Sequence, residues 1–303
     1  MFSIYILTHN EELDIAACIE SALLSDDVIV VDSYSSDRTL EIASSYPVRV
    51  YQRIFDSHGK QRSWMLNHIP IKYEWAYILE ADERMTPELF QECLDVIQNP
   101  DRVGYYVAEQ VIFMNHWIRN STQYPRYQLR LLQKGKVWFE DYGHAEREVC
   151  QGTTGFLKEN YPHYTCSKGF SRWLDKHNRY STDEAKETLH QLRYGRVNWQ
   201  ELFFGDTEVK RRRALKNLSL RLPLRPVIRF FYMYFILGGC WDGKAGFTWC
   251  ILQAFYESLI LLKVWELQRQ ESNSDSISGP EITVEQEQVP TTCAVPVADC
   301  ESV

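Results

Sequence analysis

With 303 residues, of which 45% are hydrophobic, the chain is long and apolar enough to bury a full core. Its net charge of −8 argues against a general attraction to nucleic acid. The 8 cysteines never form a C-x-x-C pair, which excludes a typical zinc site and favours reduced thiols in a cytoplasmic protein. No basic region followed by an apolar signal core begins the sequence, so we expect no secretion.

Apolar strands alternate with helices through the first hundred residues. We predict strands at 2–7, 28–31, 48–51 and 75–79, with helices at about 13–23, 38–45 and 60–67 between them. This alternation predicts right-handed βαβ units and a doubly wound sheet. Each strand ends in polar residues, and ligands of open α/β sheets bind beyond such ends. We therefore expect a nucleotide site formed by Thr8, Asn10, Asp32, Glu80 and Asp82.

The fourth strand runs directly into acidic residues at Glu80, Asp82 and Glu83. Two carboxylates spaced i, i+2 can share a hard divalent cation, which favours oxygen ligands and substrate phosphates. A solvated strand end would show the same triplet. Neither G-x-G-x-x-G nor G-x-x-x-x-G-K-[ST] occurs, so a bound diphosphate would need a metal and cationic side chains, for which Lys60 and Arg62 are candidates.

Several segments occur in the order typical of one enzyme family. They are Ile6–Glu12, Val30–Thr39 and Leu79–Arg84, followed by Tyr124–Arg126, Gln128–Leu131, His144–Glu146 and shorter matches as far as Gly246. Together they resemble the family 2 glycosyltransferases, and more closely the branch that includes the bacterial lipopolysaccharide-core glucosyltransferases. The resemblance covers roughly residues 1–266.

The resemblance implies an α/β fold of the GT-A type, a Rossmann-like doubly wound mixed sheet with a C-terminal amphipathic helical extension. The catalytic domain would span 1–200, with a nucleotide-binding half at 1–100 and an acceptor half at 101–200. Its activity would be sugar transfer with inversion, dependent on Mg²⁺ or Mn²⁺.

The resemblance also implies roles for individual residues. Asp82 matches the acidic metal ligand, whereas Glu80 stands where the family usually has Asp. Thr8, Asn10 and Asp32 match positions that hold the base and ribose, although Asp32 could instead cap the following helix. The full set that we assign to nucleotide-sugar binding is Thr8, Asn10, Glu11, Asp32, Lys60, Arg62, Glu80, Ala81, Arg126 and Arg130.

Inverting transfer needs a base that takes the proton of the acceptor hydroxyl. Glu146 matches the family's His-x-Glu position and is our first candidate, with Asp141 in reserve. His163 would complete the metal shell or be a core histidine. Arg126 and Arg130 would clamp phosphates or be solvated strand residues. In the same half we predict strands at 103–107 and 111–114, and a hairpin of 127–132 with 136–139.

The last third combines basic and apolar segments. Eight basic residues and no acids occupy 210–229, and apolar segments follow at 227–241 and 245–262. We interpret 201–268 as helices in the interface of an anionic membrane. The alternative is a helical layer packed on the catalytic domain or at a homodimer interface. Residues 269–303 are predicted to be a disordered acidic tail.

We thus predict an enzyme that moves a sugar, with UDP-glucose the leading donor, onto a lipid-linked or lipopolysaccharide-type glycan. It would lie at the cytoplasmic face of the inner membrane and bind no nucleic acid. Two alternatives remain. One is a nucleotidyltransferase, although its glycine-rich basic signature is missing near Thr8. The other is a catalytically inactive membrane-bound scaffold, which the departure at Glu80 allows.

Overall fold

The predicted βαβ units form the first half of the protein. The computed structural model describes residues 1–98, 101–122, 124–142, 145–195, 200, 217–222 and 224–277. The elements of this half are β1 (Ser3–Thr8), α1 (Ile15–Ala22), β2 (Val28–Asp32), α2 (Thr39–Ser44), β3 (Arg49–Gln52), α3 (His58–His68), β4 (Trp75–Glu80) and α4 (Pro87–Ile97). Local sequence determines where α4 begins, because the Thr86 hydroxyl accepts a hydrogen bond from the Leu89 amide at 3.1 Å and Pro87 occupies the first turn.

The second half adds strands that turn the parallel sheet into a mixed one. They are β5 (Gly104–Phe113), β6 (His116–Trp117), β7 (Tyr127–Gln133), β8 (Val137–Tyr142), β9 (Ala145–Cys150) and β10 (Thr154–Tyr164). Among the described residues, one eight-stranded sheet runs in the order β10-β5-β7-β4-β1-β2-β3, with β6 on β5. The pairs among β1 to β4, and the pair of β5 with β10, are parallel, whereas β7 is antiparallel to both β4 and β5.

Two details of the predicted strands were wrong. The strands expected at 103–107 and 111–114 are one continuous strand, β5. The expected hairpin has its turn at Gly135, whose φ is +77°, but its strands do not pair with each other. Leu131 and Leu132 of β7 are buried, so β7 enters the centre of the sheet, while β8 pairs with β9 in a separate two-stranded sheet.

Apolar clusters lie on both faces of the large sheet, as a doubly wound sheet requires. On one face, Ile4, Val30 and Leu79 pack with residues of α1 and α4. On the other face, Tyr5 and Ile78 pack with residues of α3 and β8. The two clusters leave the carboxyl ends of β1, β2 and β4 uncovered by this packing, and those ends carry the polar residues.

The C-terminal part consists of helices. They are α5 (Gly169–Tyr194), α6 (Arg225–Phe231), which continues into a π-helical turn at Tyr232–Ile236, a 3-10 turn at Gly239–Asp242, and α7 (Gly243–Ile277). Ala185 and Leu189 of α5 pack against Ile260 and Val264 of α7. One face of α7 therefore packs on the protein itself, as the helical-layer alternative proposed.

The sequence-based boundary at residue 269 falls inside α7, which continues to Ile277. The basic residues at 210–216 and the rest of the expected tail, 278–303, lie outside the described residues. In the part of the chain that is described, Gly239–Glu271 is long and apolar enough to cross a membrane, since it contains an 18-residue window with a mean hydropathy of 1.4. Length and composition alone do not distinguish a spanning helix from a helix of a soluble protein.

Candidate active site

The ends of three parallel strands lie side by side at one edge of the sheet. Thr8 of β1 is opposite Asp32 of β2, and Leu7 of β1 is opposite Glu80 of β4. The amide of Ala81 donates to the carbonyl of Leu7 at 3.1 Å, which extends the main-chain pairing one residue past β4. Ala81 is buried and contributes to this edge through its main-chain amide.

Asp32 orders the loop that follows β2. Its carboxylate is fully buried and accepts hydrogen bonds from the Ser35 amide at 3.1 Å, from the Ser35 hydroxyl and from Gln52 Nε2 at 3.0 Å. Asp32 does not cap the next helix: the N-cap position is Arg38, and the Thr39 amide donates to the carboxylate of Asp37 at 3.0 Å. The protein's own donors therefore occupy Asp32, and a contact with ribose or base would need them to move.

Asn10 and Thr8 form the neighbouring part of this edge. Asn10 has a left-handed backbone with φ of +55°, and its Oδ1 accepts the Ser36 amide at 2.7 Å. The main-chain amide of Asn10 donates to the Ser35 hydroxyl at 2.8 Å, so the loops after β1 and β2 are joined. The hydroxyl of Thr8 is buried and has no hydrogen-bond partner in the part of the chain that the structure describes, which leaves it available to a ligand.

Glu11 connects this edge to the segment before α5. One of its carboxylate oxygens accepts a hydrogen bond from Lys168, while Oε2 is buried without a partner. Burial raises the pKa of Glu11 to about 7, although Lys168 acts in the opposite direction.

Arg62 of α3 joins the end of β4 to the two-stranded sheet. Its Nη2 donates to Glu80 Oε1 at 2.9 Å, and its Nη1 donates to Glu146 Oε1. Burial would raise the pKa of Glu80, but the guanidinium groups of Arg130 and Arg62 outweigh it and lower that pKa. Burial raises the pKa of Glu146 despite the opposing charge of Arg62, and Glu146 Oε2 is buried without a hydrogen-bond partner among the described residues.

Asp82 belongs to a chain of alternating charges. His163 Nε2 lies 3.2 Å from Asp82 Oδ2, and its Nδ1 donates to Glu109, which also accepts a hydrogen bond from Arg126 Nε at 2.6 Å. The two carboxylates raise the pKa of His163 despite its burial. Burial would raise the pKa of Asp82, but the hydrogen bond and charge of His163 lower it to about 2.

The two arginines expected to clamp phosphates lie in different environments. Arg130 is 1% exposed and forms an ion pair with Glu83. Its guanidinium carbon lies over the ring of Tyr161, 4.8 Å from the ring centroid. It is neither a solvated strand residue nor a free clamp, because a buried carboxylate already neutralises it. The Arg126 side chain is 61% exposed, although Glu109 holds its guanidinium.

Asp141 and Lys60 lie on the outer side of the site. Asp141 is directly opposite Glu146 in the β8–β9 pair, and its Oδ1 accepts the Ser57 hydroxyl at 2.6 Å. Lys60 Nζ is 3.6 Å from Asp141 Oδ2, with a side chain that is 63% exposed. Asp141 therefore braces the start of α3, whereas Glu146 faces Arg62.

Two buried acids, Glu109 and Glu83, were not among the site residues predicted from sequence. Both side chains are almost fully buried. Glu109 is the sole charged residue of β5, and a charge within an otherwise apolar strand needs a buried partner. That pattern was the available signal, but it could not identify His163 or Arg126 as the partners.

The metal ligands available at Asp82 suit a hard cation whose remaining ligands come mainly from the enzyme's substrate. Within the described ranges, no group of three or more His, Cys, Asp or Glu side chains could enclose a metal. Mg²⁺ commonly takes one or two carboxylates from the protein, with phosphates and water completing its shell. Asp82, with a side chain 23% exposed, suits this arrangement, and His163 could join only after losing a proton.

A mixed α/β sheet with acidic and basic side chains gathered beyond its parallel strand ends defines a nucleotide-binding α/β enzyme. The chain belongs to glycosyl transferase family 2, whose model, described as "Glycosyl transferase family 2", matches residues 3–156. The predicted family is confirmed, and so is the predicted fold, a mixed-sheet α/β fold of the GT-A type with a C-terminal helical extension. The chain is therefore a glycosyltransferase.

Curated relatives match over most of their length. The chain is 26% identical over 273 residues to the lipopolysaccharide core biosynthesis glycosyltransferase LpsC of Rhizobium meliloti, covering 87% of this chain and 92% of that protein. It is 27% identical over 283 residues to an uncharacterized glycosyltransferase of Rickettsia bellii, and the match covers 88% of this chain and 87% of that protein. Among solved structures, S. aureus TarS 1-349 in complex with UDP covers 90% of this chain and is itself covered to 91%, with 13% identity and a TM-score of 0.42. A likeness this distant transfers no ligand to the present chain.

Proposed function

We propose that the protein is an inverting glycosyltransferase that takes a sugar from a UDP-sugar, with UDP-glucose the leading choice. We further propose that the acceptor is a lipid-linked or lipopolysaccharide-type glycan. The name of the Rhizobium meliloti relative supports that class of acceptor, and family membership supports the nucleotide-sugar donor.

The observation that carries the proposal is the bridge that Arg62 makes between Glu80 and Glu146. It holds a carboxylate from β9 against the end of β4, next to the segment that carries Asp82. A base and a leaving-group site must face each other for inversion, and this pair of contacts supports that juxtaposition.

Glu146 would act as the base. Its Oε2 has no hydrogen-bond partner, and its raised pKa increases its affinity for a proton. As the acceptor oxygen attacks the sugar, Glu146 takes the hydroxyl proton while Arg62 balances the charge of the cluster. Thr8 would donate to or accept from the nucleoside. Asp82, with His163, would hold Mg²⁺ or Mn²⁺, which when bound stabilises the negative charge of the departing nucleoside diphosphate.

We expect Glu146→Gln to lower kcat for sugar transfer about 10²-fold, because a general base contributes at least about that much. UDP affinity should change little, since the variant leaves Asp82 and the β1 edge intact. A transfer assay with a panel of nucleotide sugars, together with calorimetry of UDP binding, measures both quantities.

The matched control is Glu159→Gln, an exposed glutamate on β10. Its kcat should equal that of the wild type. If Asp141→Asn abolished transfer and Glu146→Gln did not, the base would be Asp141. If the wild type neither transferred nor hydrolysed any donor, the inactive-scaffold alternative would be favoured.

We also propose that α6 and α7 attach the protein to the cytoplasmic face of an anionic membrane. Exposed apolar residues recur at helical spacing on one face of α6 and the following turn, namely Val227, Ile228, Phe231, Tyr232, Phe235 and Ile236. On α7, the exposed side chains between 245 and 262 are apolar: Phe247, Ile251, Phe255 and Leu262. Trp241, at 83% exposed, lies between the two helices. So many exposed large apolar side chains on two successive helices are uncommon on a monomer in water.

We expect the protein to sediment with vesicles that contain phosphatidylglycerol, and less so as salt rises, because basic residues contribute about 1 kcal/mol each near anionic lipid. Phe235→Glu should lower the partition coefficient at least about tenfold, since a buried aromatic side chain contributes about 1.5–3 kcal/mol. Tyr194→Ala, at an exposed position on α5, is the control. Equal partitioning onto neutral vesicles at every salt concentration would contradict the proposal, and a change of oligomeric state in Phe235→Glu would indicate a homodimer interface instead.

A further inference from the structure

Three aromatic side chains from different strands meet on one face of the acceptor half. The rings of Tyr106 on β5 and Phe156 on β10 are stacked with centroids 5.3 Å apart. Tyr127 of β7 meets the Phe156 ring edge-on, with centroids 4.8 Å apart. We name these three residues the aromatic platform.

The aromatic platform is open to solvent. Phe156 is 63% exposed and Tyr127 is 40% exposed, although both lie in strands of the central sheet. Single exposed aromatic side chains are ordinary, but a contiguous group on a sheet face is typical of a ligand-binding surface. Neither Phe156 nor Tyr127 belongs to the two large apolar clusters of the sheet.

The position of the aromatic platform connects it to the candidate base. The Tyr106 hydroxyl donates to Glu148 Oε1 at 2.8 Å. Glu148 lies two residues after Glu146 on β9, so the two side chains share a face and are about 7 Å apart along the strand. A molecule that lies on the platform and contacts Glu148 is therefore about 7 Å from Glu146, measured along β9.

The opposite side of the aromatic platform is bounded by charge. Tyr127 directly follows Arg126, whose guanidinium is bound by Glu109, the carboxylate that also accepts from His163. The charge chain that ends at Asp82 thus begins one residue before the platform along the chain, whereas the contact of the platform itself with a charged group is that of Tyr106 with Glu148. An apolar surface between two polar edges suits a ligand with an apolar face and a polar rim.

A pyranose ring has that character. Its axial C–H groups form an apolar face that packs on aromatic rings, and its hydroxyls project from the rim, where a carboxylate such as Glu148 can accept their hydrogen bonds. An acyl chain would bring no hydroxyl to Glu148 beyond the one that Tyr106 already donates, and would leave the polar rim of this surface without hydrogen bonds.

We propose that Tyr106, Tyr127 and Phe156 form the acceptor subsite, on which a sugar ring of the glycan stacks so that its hydroxyl reaches Glu146. This inference rests on the proposed function and deepens it by assigning residues to acceptor recognition. The platform binds the acceptor and leaves donor binding to the strand ends of the nucleotide half.

The test separates acceptor binding from donor chemistry. With de-O-acylated lipopolysaccharide as acceptor and the donor that the wild type hydrolyses fastest, Phe156→Ala should raise the acceptor KM about tenfold. Hydrolysis of that donor by water, measured without acceptor, should stay within about twofold of the wild type. Phe156→Trp retains a ring and should keep the acceptor KM near the wild-type value.

Tyr194→Ala removes an aromatic side chain that is 72% exposed at the end of α5, and it should change neither quantity. An unchanged acceptor KM in both Phe156→Ala and Tyr127→Ala would overturn the subsite while leaving the proposed function intact. Equal losses of hydrolysis and transfer would overturn it as well, since the platform would then act on the donor. A wild type inactive in both assays would instead overturn the proposed function, and with it the assigned role of the platform.

Discussion

Asp82→Asn is expected to lower kcat/KM for sugar transfer by about 10³ and to remove the dependence of UDP binding on Mn²⁺. A bound divalent ion contributes several kcal/mol of charge stabilisation at a departing phosphate, and each 1.36 kcal/mol corresponds to a factor of about ten in rate. The substituted amide keeps the shape of the side chain and one oxygen, but it lacks the charge that attracts the cation. Calorimetric titration of UDP with and without Mn²⁺ measures the binding, and initial-rate assays measure kcat/KM.

The control for Asp82→Asn is Asp95→Asn, on the exposed side of α4, where the carboxylate accepts a hydrogen bond from Gln91 at 2.9 Å. It should change neither rate nor metal dependence. Turnover that persisted in Asp82→Asn with unchanged dependence on Mn²⁺ would show that the metal is held elsewhere or is not needed. Circular dichroism of both variants verifies that the fold is retained.

Arg130→Met is expected to lower the free energy of unfolding by about 3–5 kcal/mol, the usual cost of removing one member of a buried ion pair. The variant would leave the Glu83 carboxylate, itself 1% exposed, without its countercharge. It would also remove the cation from the face of Tyr161, 4.8 Å away. Urea unfolding followed by tryptophan fluorescence gives the change in free energy from the shift in midpoint at constant slope.

Two further variants test the cause of that destabilisation. Adding Glu83→Gln to Arg130→Met should restore part of the lost stability, because Gln removes the buried charge and keeps an oxygen for the Glu80 amide, which Glu83 Oε2 accepts at 2.9 Å. Arg38→Met removes an exposed partner of Glu41 and should cost no more than about 1 kcal/mol. Similar losses from Arg130→Met and Arg38→Met would contradict the buried-pair explanation.

The sequence predicted the parts of the fold that short-range patterns determine. The runs that became β1, β2 and β4 are mainly apolar and end in polar residues, so both their type and their approximate limits could be predicted. The partners of β7 and β8 could not be predicted, because a hairpin turn at Gly135 is compatible with either pairing. Burial of Leu131 and Leu132 between β4 and β5 decides the pairing of β7. This burial depends on strands that are far apart in the chain.

For the candidate site, sequence identified the acidic strand end but not the countercharges. Glu80 and Asp82 follow a strand whose direction is predictable, so their edge of the sheet could be named in advance. Arg130 stands between Leu129 and Leu131, which is the same signal of a buried charge as at Glu109, but its pairing with Glu83 arises only when β7 packs beside β4. The occupation of Asp32 by Ser35 and Gln52 has the same origin, because Gln52 comes from the neighbouring strand β3.

The segment Asp82–Arg84 is held to β10 by its main chain. The Tyr164 amide donates to the Asp82 carbonyl at 2.8 Å, and the Arg84 amide donates to the Pro162 carbonyl at 3.0 Å. These bonds do not involve the side chain at 82, whereas the adjacent side chain, Glu83, is committed to the interior. Under the metal-binding role proposed for Asp82, reactivity and folding are divided between consecutive residues, so that a lineage would lose turnover through position 82 alone and still inherit an intact scaffold.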